Sequence, residues 1–157
     1  MLAAARAAGC EIWCDLQDYD GAAGFHQPFI EAADVLVVSA DRLPDPRGFL
    51  HQVVGSGTTL AVCTDGSRGA VAVSATEGSW AVGAVDVPTV IDTNGAGDAF
   101  VSGLLAARIG GAALDESLRW ASAAGALAVQ SIDLVAPEFC RDNVRLLAEQ
   151  CSARQMG

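Results

Sequence analysis

The sequence predicts an α/β fold, a sheet flanked by helices, on three observations. Short Val- and Leu-rich runs alternate with longer segments of helical periodicity. The connections between them are short, and the composition is 52% apolar but only 6% aromatic. An excess of Ala, Val, Leu and Gly suits helices packed closely against strands. At 157 residues the chain can form one domain with a real hydrophobic core.

Residues 1–8 read as an Ala-rich helix, the tail of a longer one. Residues 10–15 form a short strand that leads into a polar loop through Gly24, and residues 25–33 a helix. Residues 35–38 are a buried strand between Asp34 and Ser39, and residues 46–54 a helix ended by Gly55 and Gly57. A strand at 58–64, a turn at 65–69 and a strand at 70–74 follow, then extended pieces at 80–85 and 87–90 around Pro88. The remainder is helical, at 96–109, 115–129 and 137–151. In the last of these, Pro137 occupies the first turn and Val144, Leu147 and Cys151 share one side.

Charge excludes several functions. The net charge is −10 and the nine basic residues are all Arg, in no cluster, so neither a nucleic acid nor an anionic membrane is an expected partner. The absence of Lys removes the GxxxxGK[ST] phosphate loop and Schiff-base chemistry. Phosphate must then be met by backbone N–H groups, a metal or arginine. Cys10, Cys14, Cys63, Cys140 and Cys151 lack zinc or redox spacing and read as reduced thiols. The longest apolar runs are too short to cross a bilayer, and the first nine residues lack a signal-type apolar region, which gives a cytoplasmic expectation.

The chemistry concentrates in Val90-Ile91-Asp92-Thr93-Asn94-Gly95-Ala96-Gly97-Asp98-Ala99-Phe100. An extended segment turns on two glycines and enters a helix of small residues. Gly95, Ala96 and Gly97 let successive N–H groups converge at a helix start, whose dipole end attracts an anion. Asp98 stands in the first turn, where a carboxylate can take the proton of an attacking hydroxyl while the amides hold a phosphoryl group. For a lone Gly-x-Gly, the alternative is an ordinary turn whose Asp merely complements the dipole. The pattern is not the dinucleotide fingerprint, because Phe100 takes the third glycine's place.

The longer Asp-Thr-x-Gly-Ala-Gly-Asp string resembles, position for position, the C-terminal signature of the PfkB/ribokinase family of carbohydrate and nucleoside kinases. The resemblance extends to Thr64-Asp65-Gly66-Ser67-Arg68-Gly69, similar to the family's Thr-x-Gly-x-x-Gly turn, and to the small-residue helix around Ser122. It implies a ribokinase-like three-layer fold, flanked by helices and present here only as the C-terminal half, with a fructokinase/ketohexokinase-like flavour. It implies ATP seated by Thr64, Gly66, Ser67, Gly69, Asn94, Ser122 and Ser39, with Asp98 as base and Gly95, Ala96 and Gly97 as the anion hole. Magnesium is expected near Asp41 and Asp92, and a monovalent cation, K+, near Asp92 and Asn94.

Departures from the family pattern count as well. Ser39 and Arg42 stand where the family commonly has Asn and Glu, and residues 129–136 contain no glycine. The family's N-terminal Gly-Gly signature, acceptor contacts and β-sheet lid find no match, so a chain covering only the nucleotide half is expected to phosphorylate poorly alone. The expected partners are a sugar or sugar-like substrate and either a second copy of the chain or a complementary N-terminal half. Two further readings stay open: a non-catalytic nucleotide-binding or regulatory remnant, and a fragment that does not fold independently.

Overall fold

The computed structural model describes residues 2–22, 24–133 and 136–157. Helix α1 (Leu2–Ala7) precedes strand β1 (Trp13–Asp15), and α2 (Gln27–Ala32) precedes β2 (Val35–Ser39). Then come α3 (Pro46–Gly55), β3 (Leu60–Thr64), β4 (Ala70–Ser74) and β5 (Gly78–Val82). Helices α4 (Ala96–Ile109), α5 (Leu114–Ala128) and α6 (Arg141–Ala148) follow, and β6 (Ala153–Met156) closes the order. The strands form one sheet in chain order, β1-β2-β3-β4-β5-β6. Among the described residues no helix is long and apolar enough to cross a membrane.

The chain divides into two compact units, residues 1–65 with 71–79 and 157, and residues 66–70 with 80–156. In the first, β1, β2 and β3 run parallel, with Trp13 opposite Val35, Val35 opposite Leu60 and Ser39 opposite Thr64. The first four residues of β2 and of β3 are buried, as the continuous apolar runs of strands covered on both faces require. Leu36, Val38, Leu50, Val53, Ala61 and Cys63 form the centre of its core. Helix α3 starts where Asp45 accepts the Gly48 amide at 3.0 Å, and Pro46 brings no amide that needs a partner.

In the second unit the dominant contact is between α4 and α5. A Cβ on Gly103 would sit 2.8 Å from Ala124 Cβ and 2.9 Å from the Trp120 carbonyl oxygen. One on Gly125 would lie 3.4 Å from the Ala96 carbonyl oxygen. The small residues of both helices are what allow the two backbones to approach this closely. Helix α6 packs Val144 and Ala148 against Ala123 and Ala124.

Some elements differ from expectation, each for a local reason. The first strand shrinks to Trp13–Asp15 because the Cys10 amide closes onto the Ala5 carbonyl and the Ile12 amide donates to the Asp34 carboxylate. Residues 87–90 make no strand; just beyond them, the amides of Ile91 and Asp92 both donate to the Val129 carbonyl. Pro137 lies outside α6, which begins at Arg141 after an extended Cys140. Cys151 follows that helix rather than lying on it. Met1 of the expected first helix, and Leu134 and Val135 of the glycine-free loop, lie outside the described residues.

Gly103→Val should lower stability by about 1–3 kcal/mol, because two added methyl groups have no room at the α4–α5 contact. Thermal denaturation checks this, and an unchanged midpoint would contradict the packing.

Candidate active site

The segment before α4 is built to leave amides free. The Asp92 carboxylate accepts the Asn94 amide at 2.9 Å, which closes a tight turn. Gly95 then takes φ 77°, a left-handed conformation open to glycine at little strain, and caps the helix without a side chain. The Ala96 amide donates to the Thr93 carbonyl at 3.2 Å, so the expected ring of donors loses that member. Ala99 donates to the Gly95 carbonyl at 2.9 Å. Among the described residues nothing accepts from the amides of Gly95, Gly97 or Asp98.

Asn94, Gly97 and Asp98 are exposed, and Gly95 and Ala96 half-buried. A Cβ on Gly97 would meet nothing within 4 Å, so there is open space beside the first turn of α4. The Asp98 carboxylate has no hydrogen-bond or ion-pair partner among the described residues, while its carbonyl accepts from Ser102 Oγ at 2.8 Å. The start of α4 thus offers three donors and one free carboxylate in adjacent positions.

The same unit carries the turn at 66–69. Gly66–Arg68 makes one turn of 3-10 helix, and Gly69 donates to the Gly66 carbonyl at 3.1 Å. Gly69, at φ 95°, lies so close to residues 82–84 that any Cβ there would come within 2.8 Å of the Ala84 nitrogen. Ser67 is exposed. Ser122 is buried, and its hydroxyl donates to the Gly83 carbonyl at 2.8 Å, an oxygen that also accepts from Cys151 Sγ at 3.3 Å. Ser122 and Cys151 therefore anchor the backbone on which Gly69 rests. Nothing in the sequence pattern pointed to Gly83 as that anchor.

In the first unit, Ser39 and Thr64 end β2 and β3 in register, at the carboxyl ends where open α/β sheets bind ligands. Ala40 donates to the Thr64 carbonyl at 2.8 Å, and Ser39 Oγ accepts the Asp41 amide at 3.2 Å. The Ser39 amide donates to the carbonyl of Gln17 at 2.7 Å. Gln17 is the residue that sequence reasoning missed. Its φ is 54°, and Asp15 holds it there by accepting both its amide, at 2.9 Å, and its side-chain Nε2, at 3.1 Å. Arg42 is paired with Asp18 at 3.3 Å and Asp20 at 3.7 Å.

Among the described residues no three His, Cys, Asp or Glu side chains converge as a metal site. Asp92 uses its carboxylate oxygen on Asn94, and Asp41 stands apart on an exposed loop. A single carboxylate of either kind fits magnesium only in the ion's usual manner with nucleotides, held mostly by phosphate oxygens and water.

Residues 25–138 match the family model described as pfkB family carbohydrate kinase. Over 118 residues the chain is 37% identical to an acarbose 7(IV)-phosphotransferase of Actinoplanes sp., a span that covers 73% of this chain and 39% of that protein. A microbiome-derived acarbose kinase superposes with a TM-score of 0.85 at 29% identity, covering 94% of this chain and 51% of that one. The Arabidopsis thaliana ribokinase, solved with ribose and ATP, gives 0.78 at 23% identity, covering 94% and 50%, a likeness of fold. The chain thus spans about half the length of these solved structures and less of the curated relative.

Cys63 provides a pH test of the strand-end geometry. Its thiol is pushed up to about 11 from 9.0, first by burial and then by the charges of Asp65 and Asp41. The fold therefore favours the neutral thiol. That stabilisation is complete below pH 9 and is lost as pH rises towards 11, by at most about 3 kcal/mol. Chemical denaturation across this range should show a steeper loss for the natural chain than for Cys63→Ala; parallel curves would contradict it.

Proposed function

The chain belongs to the pfkB family of carbohydrate kinases, and from that premise we propose that it carries the nucleotide-side, catalytic part of an ATP-dependent phosphotransferase acting on a sugar or sugar-like hydroxyl. The observation that carries this reading is the trio of unpartnered amides at Gly95, Gly97 and Asp98 beside an unpaired carboxylate. With no lysine in the chain, these donors and the positive end of α4 are the means proposed for holding a terminal phosphate.

Asp98 then takes the proton of the acceptor hydroxyl as the oxygen attacks, and the amides of Gly95 and Gly97 neutralise charge on the phosphoryl oxygens. Being fixed by the turn beforehand, they need no reorganisation at the moment of transfer. The 66–69 turn, braced on residues 82–84, supplies a second backbone surface for the nucleotide, with Ser67 as its polar group; Thr64, at the end of β3, is a separate candidate contact. Bound magnesium would offset phosphate charge, and Asp92, on the segment that leads into α4, is the carboxylate to vary in testing how its waters are held. Asp92 is also the residue to vary in testing dependence on potassium.

The acceptor would be presented to Asp98 by surface beyond the span matched here, which covers 39% of the phosphotransferase and 51% of the acarbose kinase. Two relatives are named for acarbose, so acarbose is the first acceptor to assay, beside ribose and fructose. A second reading, a nucleotide-binding remnant without turnover, is favoured by the ion pairing of Arg42 with Asp18 and Asp20, which occupies a cation at the strand ends.

Two substitutions separate these readings. Asp98→Asn should lower sugar-dependent ADP release by about 10²–10⁴-fold while ATP binding is kept, measured with the remainder of a relative's fold supplied. A change of only a few-fold would remove Asp98 as the base, and nucleotide binding with no turnover in the parent would select the remnant. Gly97→Ala, whose Cβ meets nothing within 4 Å in the chain itself, should weaken ATP binding at least about ten-fold with little change in melting temperature. Unchanged affinity would contradict the anion hole.

A further inference from the structure

A backbone outlier stands at the strand ends of the first unit. Gln17, at φ 54°, is the sole non-glycine residue of positive φ among the described residues. A long side chain takes that conformation under strain, and such strain gathers where a structure has a use for it. The use can be read from the β1–β2 ladder. Asp15 lies opposite Val37, and the Leu16 amide donates to the Val37 carbonyl at 2.8 Å. A regular parallel pair would then give the Ser39 amide to the Leu16 carbonyl. It goes instead to the Gln17 carbonyl, at 2.7 Å. One extra residue on one strand makes a bulge, a device that re-aims a side chain and is common beside active sites.

The side chain it aims is not that of Gln17, whose Nε2 is tied back to the Asp15 carboxylate. It is that of Ser39, at the end of β2. Ser39 is held by its amide on Gln17, by the Asp41 amide that donates to its Oγ at 3.2 Å, and by Ala40 on the Thr64 carbonyl. With the oxygen so engaged, the hydroxyl proton of Ser39 has no acceptor among the described residues. Thr64, in register beside it, directs its own hydroxyl at the Val38 carbonyl, 3.5 Å away. Arg42, three residues beyond Ser39, is engaged by Asp18 and Asp20, which follow Gln17 in the chain. This strand end therefore presents a fixed neutral donor rather than a free cation.

We propose that Gln17 is a positioning residue that acts through Ser39: its left-handed turn sets the end of β2 so that the Ser39 hydroxyl donates to a phosphate oxygen of the nucleotide. A hydroxyl with one proton to give bonds most strongly to a charged acceptor, and the phosphates of ATP supply one. The inference rests on the nucleotide-side reading of the chain and is independent of the role given to Asp98. It assigns the work to the backbone of Gln17, so residues that enter the left-handed region readily can replace it.

The test titrates the full chain separately with ATP plus magnesium and with adenosine. Ser39→Ala should weaken ATP binding at least about ten-fold and leave adenosine binding as it was. Gln17→Val, whose branched side chain resists φ 54°, should do the same. Gln17→Gly and Gln17→Asn should stay within about two-fold of the natural chain, a rescue that a role for the Gln17 amide group would not give. Gln17→Val/Ser39→Ala should bind ATP no more weakly than Ser39→Ala alone, since both changes act on one bond. Additive losses, equal losses with adenosine, or a loss in Gln17→Gly as large as in Gln17→Val would each overturn the proposal. Thermal melts check the fold, and Gln17→Ala carries the same comparison if Gln17→Val unfolds. Natural ATP affinity in Gln17→Val overturns this inference alone, whereas no ATP binding by the natural chain overturns it together with the proposed function.

Discussion

The structure depends on how closely α4 approaches α5. Gly103 admits the Ala124 methyl and the Trp120 carbonyl at distances any side chain would forbid, and Gly125 lies in van der Waals contact with the Ala96 carbonyl. That contact fixes the first turn of α4 against a helix that α6 also packs on, with Val144 and Ala148 against Ala123 and Ala124. Free amides at a helix start have chemical value only if they stay aimed, and here the aim comes from backbone packing. Gly95, in a left-handed conformation, and the Asp92–Asn94 turn complete the arrangement from the other side.

A second glycine contact serves the other turn of the same unit. Gly69 rests on residues 82–84, and the Gly83 carbonyl beneath it is held by Ser122 of α5 and by Cys151. Helix α5 is therefore a shared brace: its Gly125 face seats the start of α4, and its Ser122 secures the backbone under the 66–69 turn. The small-residue character of α5 follows from having two backbones to accommodate.

How much of this was legible in the sequence varied with how local the cause was. Helix α4 was legible to the residue at both ends, because two glycines, a first-turn Asp and a run of small residues are local signals. Strand β2 and helix α3 were nearly so, for the same reason. Strand β6 was not, since Arg154 and Gln155 carry no apolar alternation and only its place beside β5 makes it a strand. Pro137 misplaced the start of α6, because a turn in which Phe139 donates to the Ala136 carbonyl intervenes. Within the candidate site, the glycine turn and Asp98 were readable from one string. At the strand ends of the first unit, Gln17 was not readable, because its strained backbone is imposed by Asp15 and by the Ser39 amide 22 residues on.

The central claim is that a nucleotide's terminal phosphate meets the first turn of α4 directly. Amide chemical shifts of the ¹⁵N-labelled chain, followed while ATP and magnesium are added, test this residue by residue. The account predicts the largest and saturable shifts at Gly95, Gly97 and Asp98, with the already bonded Ala96 amide responding less. Saturable shifts confined to other segments, with those three amides unmoved, would contradict it.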